Sequence, residues 1–263
     1  PSSEPVVTRW VDCRIKGLDT HPMALLFFVR AAEASKKLAG SPDLTGARHI
    51  VIFRDSAHMV IPYIRGRDLF EVMDHLLTRQ NVWGMYSLSD KRLNLDIKNL
   101  FFYWFKSIRN TLLKLQEENV LHADLKPENI MVREESGETV LVDFNSASLV
   151  RRCGAELLRK GTPYYHPPEY AHLFFNKLRQ LPSGYDSRKS EVWAFASTMY
   201  CMLFGLTPGD FPSEPANGSP TLVYNNVISF KFGSSREIRR EDLGESLYSL
   251  LEGMFQPVPD LRL

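Results

Sequence analysis

The chain has 263 residues, 44% hydrophobic and 24% charged, with 32 basic against 31 acidic side chains and a net charge of +1. These values exclude a disordered chain, a collagen and a coiled coil. The balanced charge provides no global field toward nucleic acid or an acidic membrane. Cys13, Cys153 and Cys201 are too few for a disulfide framework, and their odd number leaves at least one thiol unpaired within the chain. No uncharged apolar run reaches the roughly 18 residues that a membrane span requires, and Val192–Leu206 has only the length of a buried helix. Pro1-Ser2-Ser3-Glu4-Pro5 has neither the basic nor the apolar region of a signal peptide.

In chain order, Val6–Val11 alternates as a strand does and runs into Cys13-Arg14-Ile15-Lys16. Pro22–Leu38 predicts a helix, with proline near its start and Gly40 past its end. His49–Phe53 and Met59–Ile64 predict two strands around a polar turn, Arg54-Asp55-Ser56, and Asp68–Leu77 a short helix. Phe101, Phe105, Ile108, Leu112 and Leu115 form one apolar stripe on a long helix, the mark of a core face. Ile130-Met131-Val132 and Val140-Leu141-Val142 predict a hairpin closed by Glu134–Glu138. Glu191–Phe204 is apolar on nearly every face and predicts a buried central helix. Pro212–Pro220 predicts a loop, and Leu247–Phe255 a further helix. The order implies an α+β chain of two lobes, a small β-rich one over residues 1–64 and a helical one over 65–263, with a cleft between them.

The segment His122-Ala123-Asp124-Leu125-Lys126-Pro127-Glu128-Asn129 follows the long helix, and Asp143-Phe144-Asn145 follows the hairpin. Two carboxylates on two loops, with an amide and a lysine, are what a magnesium–nucleotide site needs. One acid accepts a hydroxyl proton, the other acid and the amide hold metal, and the lysine neutralises the transferred group.

These segments resemble the catalytic loop and the magnesium-binding Asp-Phe-Gly of eukaryotic protein kinases. Gly161-Thr162-Pro163-Tyr164-Tyr165-His166-Pro167-Pro168-Glu169 is similar to the end of a kinase activation segment. Tyr185-Asp186 with Glu191-Val192-Trp193-Ala194-Phe195 resembles the buried helix that anchors the catalytic loop. Met254-Phe255, Pro259 and Arg262 resemble the terminal pattern whose arginine pairs with the glutamate carried here by Glu169. The resemblance implies a bilobal kinase-like fold with a reduced N-lobe, ATP and Mg²⁺ as cofactors, and a protein as substrate or binding partner. Asp124 and Lys126 are then catalytic, and Asn129 and Asp143 hold metal. Lys16 and Glu33 hold the α- and β-phosphates, unless they are a solvated strand-end lysine and a surface glutamate. In Met59-Val60-Ile61-Pro62-Tyr63-Ile64-Arg65-Gly66-Arg67-Asp68-Leu69, which resembles the hinge, Ile61 takes the gatekeeper place. The Pro62 carbonyl and the Ile64 N–H face adenine, and Asp68 either lies near the ribose or caps a helix.

Three positions depart from the family. No glycine precedes Gly17, and residues 1–15 leave no room for the glycine-rich loop that covers the phosphates, so either that loop lies ahead of Pro1 or it is truly missing. Asn145 replaces a glycine that permits positive φ, and Asn tolerates such φ better than most residues. Ala123 replaces the arginine that receives an activation-loop phosphate. The missing loop resembles the With-No-Gly-loop subgroup of apicomplexan kinases and pseudokinases, which implies secretion into a parasitophorous vacuole. Two functions follow from these features: a divergent Ser/Thr kinase, suggested by the retained charged residues, or a pseudokinase scaffold without turnover, suggested by the lost loop and Asn145. A small-molecule kinase fits less well, because such relatives generally lack the Thr-Pro…Pro-Glu segment.

Overall fold

The computed structural model describes residues 5–12, 22–53, 56–78, 95–150, 161–178, 181, 184–210, 219–233 and 240–263. Its N-terminal part holds β1 (Val6–Asp12), α1 (Pro22–Lys37), β2 (His49–Ile52) and β3 (Ser56–Pro62). The sheet is antiparallel in the order β1-β3-β2, with Val7 opposite Ile61 and His49 opposite Val60. Along β3, buried Ala57, Met59 and Ile61 alternate with half-buried Ser56, His58 and Val60, the period of two that a one-sided sheet requires. The buried set meets Phe28, Ala31 and Ala32 of α1, and the alanines let the helix lie close to the sheet.

The C-terminal part begins with β4 (Gly66–Asp68), α2 (Leu69–Thr78), α3 (Leu95–Glu117) and β5 (Val120–Leu121). Next come β6 (Ile130–Arg133), β7 (Thr139–Leu141), β8 (Ser148–Leu149) and α4 (Pro168–Phe175). The last four helices are α5 (Arg188–Phe204), α6 (Pro220–Ser229), α7 (Arg240–Leu243) and α8 (Glu245–Met254). The predicted stripe on α3 faces inward: Phe101, Phe105, Ile108 and Leu115 are buried and Leu112 is half-buried. Trp104 joins it and donates its indole N–H to the Gly137 carbonyl at 3.1 Å. Helix α5 is buried along nearly its whole length. Its buried hydroxyls are satisfied locally, since Ser197 and Thr198 donate to the carbonyls of Trp193 and Ala194, four residues back. Gly205, at φ 70°, ends it in the left-handed conformation that glycine adopts without strain. No described helix is long and apolar enough to cross a membrane.

Main-chain bonds join the two parts. Leu141 N–H donates to the Asp43 carbonyl at 3.0 Å, and Thr45 N–H donates to the Leu141 carbonyl at 3.2 Å. Lys114 pairs with Asp43 beside this bridge.

Several boundaries differ from the sequence reading. β1 ends at Asp12, and Cys13, Lys16, the Arg54-Asp55 turn and Cys153 lie outside the described residues. β3 spans Ser56–Pro62 rather than Met59–Ile64. The short helix starts at Leu69, because Asp68 ends β4 and its Oδ1 accepts the Glu71 N–H at 2.9 Å, a helix cap. The expected loop over Pro212–Pro220 is corrected at its end: Pro220 opens α6, since proline fits the first turn, where its missing N–H would have no partner. Cys201 is buried within α5, and burial pushes its thiol up to about 11.

Arg262 closes the fold. Its guanidinium donates to both Glu169 oxygens at 2.9 and 3.0 Å and to the carbonyls of Lys189 and Gln256. It also sits 5.1 Å from the centre of the Trp193 ring. The side chain has no solvent exposure, so every donor it spends is an internal one. Replacing Arg262 by Met should therefore leave the Glu169 carboxylate without its cation, held only by the Tyr185 hydroxyl at 2.6 Å, and cost about 3–5 kcal/mol in urea unfolding. The double variant Arg262→Met/Glu169→Gln should recover part of that loss, and equal stability of the two variants would contradict the pairing.

Candidate active site

Helix α3 ends in a turn at Asn119, and β5 then delivers His122-Ala123-Asp124 into the interior. Ala123 has φ 62°, a left-handed conformation that costs a residue with a Cβ roughly 1–2 kcal/mol. A buried carboxylate holds it there. Glu191 of α5 accepts the Ala123 N–H at 2.8 Å on Oε1 and the His122 N–H at 3.2 Å on Oε2. Burial pushes the Glu191 carboxyl above the usual glutamate range, while His122 and the two N–H donors act against that rise.

His122 carries the constraint onward. Its Nδ1 lies 3.3 Å from the Asp124 N–H donor and its Nε2 lies 2.8 Å from the Val142 carbonyl. One assignment satisfies both: Nδ1 accepts, and the proton on Nε2 donates. Phe144 meets the same ring edge-on, 4.9 Å between centroids. The loop bearing Asp124 and the turn bearing Asp143 are thus fixed to one imidazole.

Around Asp124 the polar groups converge. Its Oδ1 accepts the Thr162 hydroxyl at 2.9 Å, and its Oδ2 accepts the Asn129 amide at 3.1 Å. The same amide donates to the Asp124 carbonyl at 2.7 Å. Lys126 Nζ donates to the Thr162 hydroxyl oxygen at 2.8 Å and lies 3.6 Å from Asp124 Oδ2. Thr162 therefore accepts from the lysine and donates to the acid, which aligns the two charges. Both donations of the Asn129 amide nitrogen turn its Oδ1 away from Asp124, and that oxygen has no hydrogen-bond partner among the described residues. The hairpin of β6 and β7 places Asn129 beside Val142, whose N–H donates to the Asn129 carbonyl at 2.9 Å. Asp143 is the next residue, so an amide oxygen donor and a carboxylate sit at one end of one hairpin. These are hard oxygen donors of the kind magnesium takes.

The positive φ at the second loop falls on Asp143, at φ 63° and ψ 64°, and not on Asn145. Asn145 sits in the following tight turn and donates its N–H to Asp143 Oδ1 at 3.4 Å. Asparagine in the place of glycine is therefore not strained here. Helix α1 packs against this turn, bringing the element that carries Glu33 to the site, although Glu33 itself is exposed. Pro62 ends β3 and Ile64 lies on the link to β4, with Ile61 and Ile64 buried. Lys16 lies outside the described residues. The structure brings Asp124, Lys126 and Asn129 into contact and puts Asp143 at the end of the adjoining strand. Thr162 and Glu191, which the sequence offered only as members of longer motifs, prove to be the residues that lock this geometry.

Residues 29–263 match the protein kinase domain. The chain belongs to the protein kinase family. Among its relatives, CBL-interacting protein kinase 17 of Oryza sativa subsp. japonica is 27% identical over 238 residues, 89% of this chain and 44% of the relative. Serine/threonine-protein kinase Sgk1 of Rattus norvegicus is 27% identical over 223 residues, 84% of this chain and 43% of that protein. The ovarian-specific serine/threonine-protein kinase Lok of Drosophila melanogaster is 26% identical over 196 residues, 73% and 35% of the two chains. This kinase domain spans less than half the length of each of these relatives.

The clamp at Glu191 makes a specific demand. In Glu191→Gln one of the two N–H donors faces an amide NH₂, which should cost about 1–3 kcal/mol. A carboxyl raised by folding contributes stability that is fully present below its unfolded value and lost as pH rises through the folded one. The advantage of wild type over Glu191→Gln should therefore be largest below the usual value of 4.5 and shrink toward neutral pH. Urea unfolding of both proteins across the acid-to-neutral range measures it, and a difference that grows with pH would contradict the assignment.

Proposed function

We propose that this kinase domain is a divergent Ser/Thr protein kinase that transfers the γ-phosphoryl group of ATP to a protein hydroxyl. The observation that carries the reading is the Asp124 carboxylate held by Thr162 and Asn129, with Lys126 beside it. An acid oriented on both oxygens, yet partly open to solvent, is placed to take the proton of an incoming hydroxyl. Lys126 lies where negative charge on the transferring group would be neutralised. Asn129 Oδ1 and the Asp143 carboxylate would hold Mg²⁺, which when bound neutralises the phosphates. On the same reading Lys16 and Glu33 serve the α- and β-phosphates, the Pro62 carbonyl and Ile64 N–H face adenine, and Asp68 adds a ribose contact to its helix cap. The relatives Sgk1 and Lok, both named serine/threonine-protein kinases, support serine or threonine as acceptor.

The finer part of the proposal places the chain in the With-No-Gly-loop subgroup, with export to a parasitophorous vacuole. Residues 1–16 contain no glycine; a glycine-rich loop in sequence ahead of Pro1 would refute the placement, and microscopy of the tagged protein against a vacuole marker tests the export.

Two substitutions separate turnover from scaffolding. Asp124→Ala should lower ³²P transfer by a factor of about 10²–10⁴ while leaving the thermal shift with ATP and Mg²⁺ in place. Asp143→Ala should remove the magnesium-dependent part of that shift. Transfer at the wild-type rate in Asp124→Ala would refute the mechanism. A wild-type protein with neither shift nor transfer is the pseudokinase that the glycine-loop gap and Asn145 also allow.

A further inference from the structure

A groove of about 510 Å³ lies between β4, the middle of α2 and the end of β6. None of Asp124, Lys126, Asn129 or Asp143 lines it. Its base exists because residue 66 is glycine. A Cβ there would come within 2.0 Å of the Val132 carbonyl oxygen, so only glycine lets β4 lie against β6. Arg65 and Arg67 flank that glycine and, two residues apart on an extended segment, project to one side. Arg133 stands opposite Gly66 in the register.

We propose that this groove docks an acidic segment of another protein. Arg65 and Arg67 line it on one side of the sheet, and among the described residues the lining carries a single carboxylate, Glu134. Glu134 accepts from Arg65 at 2.8 Å, but the two side chains are 72% and 62% exposed. An ion pair that open is weak and exchanges readily for a ligand carboxylate. Arg133, paired with Gly66 and so on the opposite face from Arg65 and Arg67, donates to the Pro42 carbonyl at 3.1 Å and adds only its backbone to the groove. Arg67 is exposed, and among the described residues its side chain has neither a hydrogen bond nor an ion pair. His75 adds a further donor from α2, whose own acids Glu71 and Asp74 do not line the groove. The charge is therefore in excess and unspent, and the planar fork of arginine matches a carboxylate in two-point contact. Half-exposed Tyr63 and partly buried Val72 give the same groove an apolar wall. The chemistry that fits is an extended peptide of Glu or Asp side chains with interspersed aliphatic ones.

The test uses the whole chain without nucleotide, so its outcome does not depend on phosphoryl transfer. A fluorescein-labelled peptide alternating Glu and Leu is titrated by fluorescence anisotropy, beside the same peptide with Gln in place of Glu. The Glu peptide should bind at least about tenfold more tightly, and salt should weaken it, as for any exposed ionic contact. Arg67→Glu should lower that affinity by about tenfold or more, and Arg65→Glu should lower it too. Arg109→Glu, on the exposed face of α3, should leave it unchanged. Thermal unfolding of each variant establishes that it is folded, and exposed Arg67 and Arg65 are substitutions the fold should accept. Equal binding of the Gln peptide, or wild-type affinity in both groove variants, overturns the proposal. So does a phosphoserine-for-Glu peptide that binds where the Glu peptide does not.

Discussion

A single buried carboxylate sets the geometry on which the rest of the site depends. Glu191 sits on a helix buried along nearly its whole length and receives two successive backbone N–H groups. Those donors belong to the residues just before Asp124, one of them an alanine in a conformation its Cβ opposes. Without an acceptor at that place the N–H groups would be buried and unpaired, a cost comparable to the strain itself. The clamp and the strain are thus one arrangement: the helix supplies what the loop cannot, and the loop direction that results presents Asp124 to Thr162, Asn129 and Lys126. Burial raises the energy of the charged carboxylate, and the two backbone donors and the neighbouring imidazole are the compensation.

The second layer is the hairpin of β6 and β7. Its register fixes Asn129 opposite Val142, and the His122 ring spans from the loop to the same Val142. Leu141, one residue earlier, also carries the main-chain bridge to Asp43 and Thr45. Three consecutive residues, Leu141, Val142 and Asp143, therefore connect the N-terminal part, the catalytic loop and the carboxylate proposed for metal. A shift of this hairpin by one residue would point each of them the other way, so the site and the joint between the two parts of the chain cannot be altered separately.

Much of this was legible in the sequence because it was written locally. The α3 stripe, the hairpin, the buried α5 and the ordered run of motifs each lie within a short window, and period and composition suffice to read them. The Asp68 cap was one of two open readings, and the Glu71 N–H shows that it caps. What escaped was long-range or backbone in origin. Thr162 meets Asp124 across 38 residues, and no spacing rule announces a hydroxyl at that distance. The glutamate on α5 was visible only as part of a helix signature, and its partners are main-chain atoms with no side-chain identity. The left-handed conformation falls on Asp143 because the tight turn after it takes Phe144-Asn145-Ser146, whereas the resemblance to Asp-Phe-Gly places it at Asn145. Pro220 and its neighbours have the composition of a loop, because proline breaks structure, yet the same residue is a favourable first position of a helix.

The departures at Ala123 and Asn145 are consistent with this division of labour. A loop whose direction is set by Glu191 and His122 does not need an arginine side chain at position 123 to hold it, because the contacts that orient Asp124 run through the backbone N–H of Ala123 and not through its side chain. Asn145 likewise contributes its N–H to Asp143, a bond any residue but proline can make. Both positions have lost side-chain identity where the geometry is maintained by main-chain atoms. Asp124, Lys126 and Asn129 keep theirs, because each contributes a polar side-chain atom for which the backbone offers no substitute at that place. The pattern of loss and retention follows which atoms make the contacts, so the departures at 123 and 145 leave the assembled acid, amide and lysine intact.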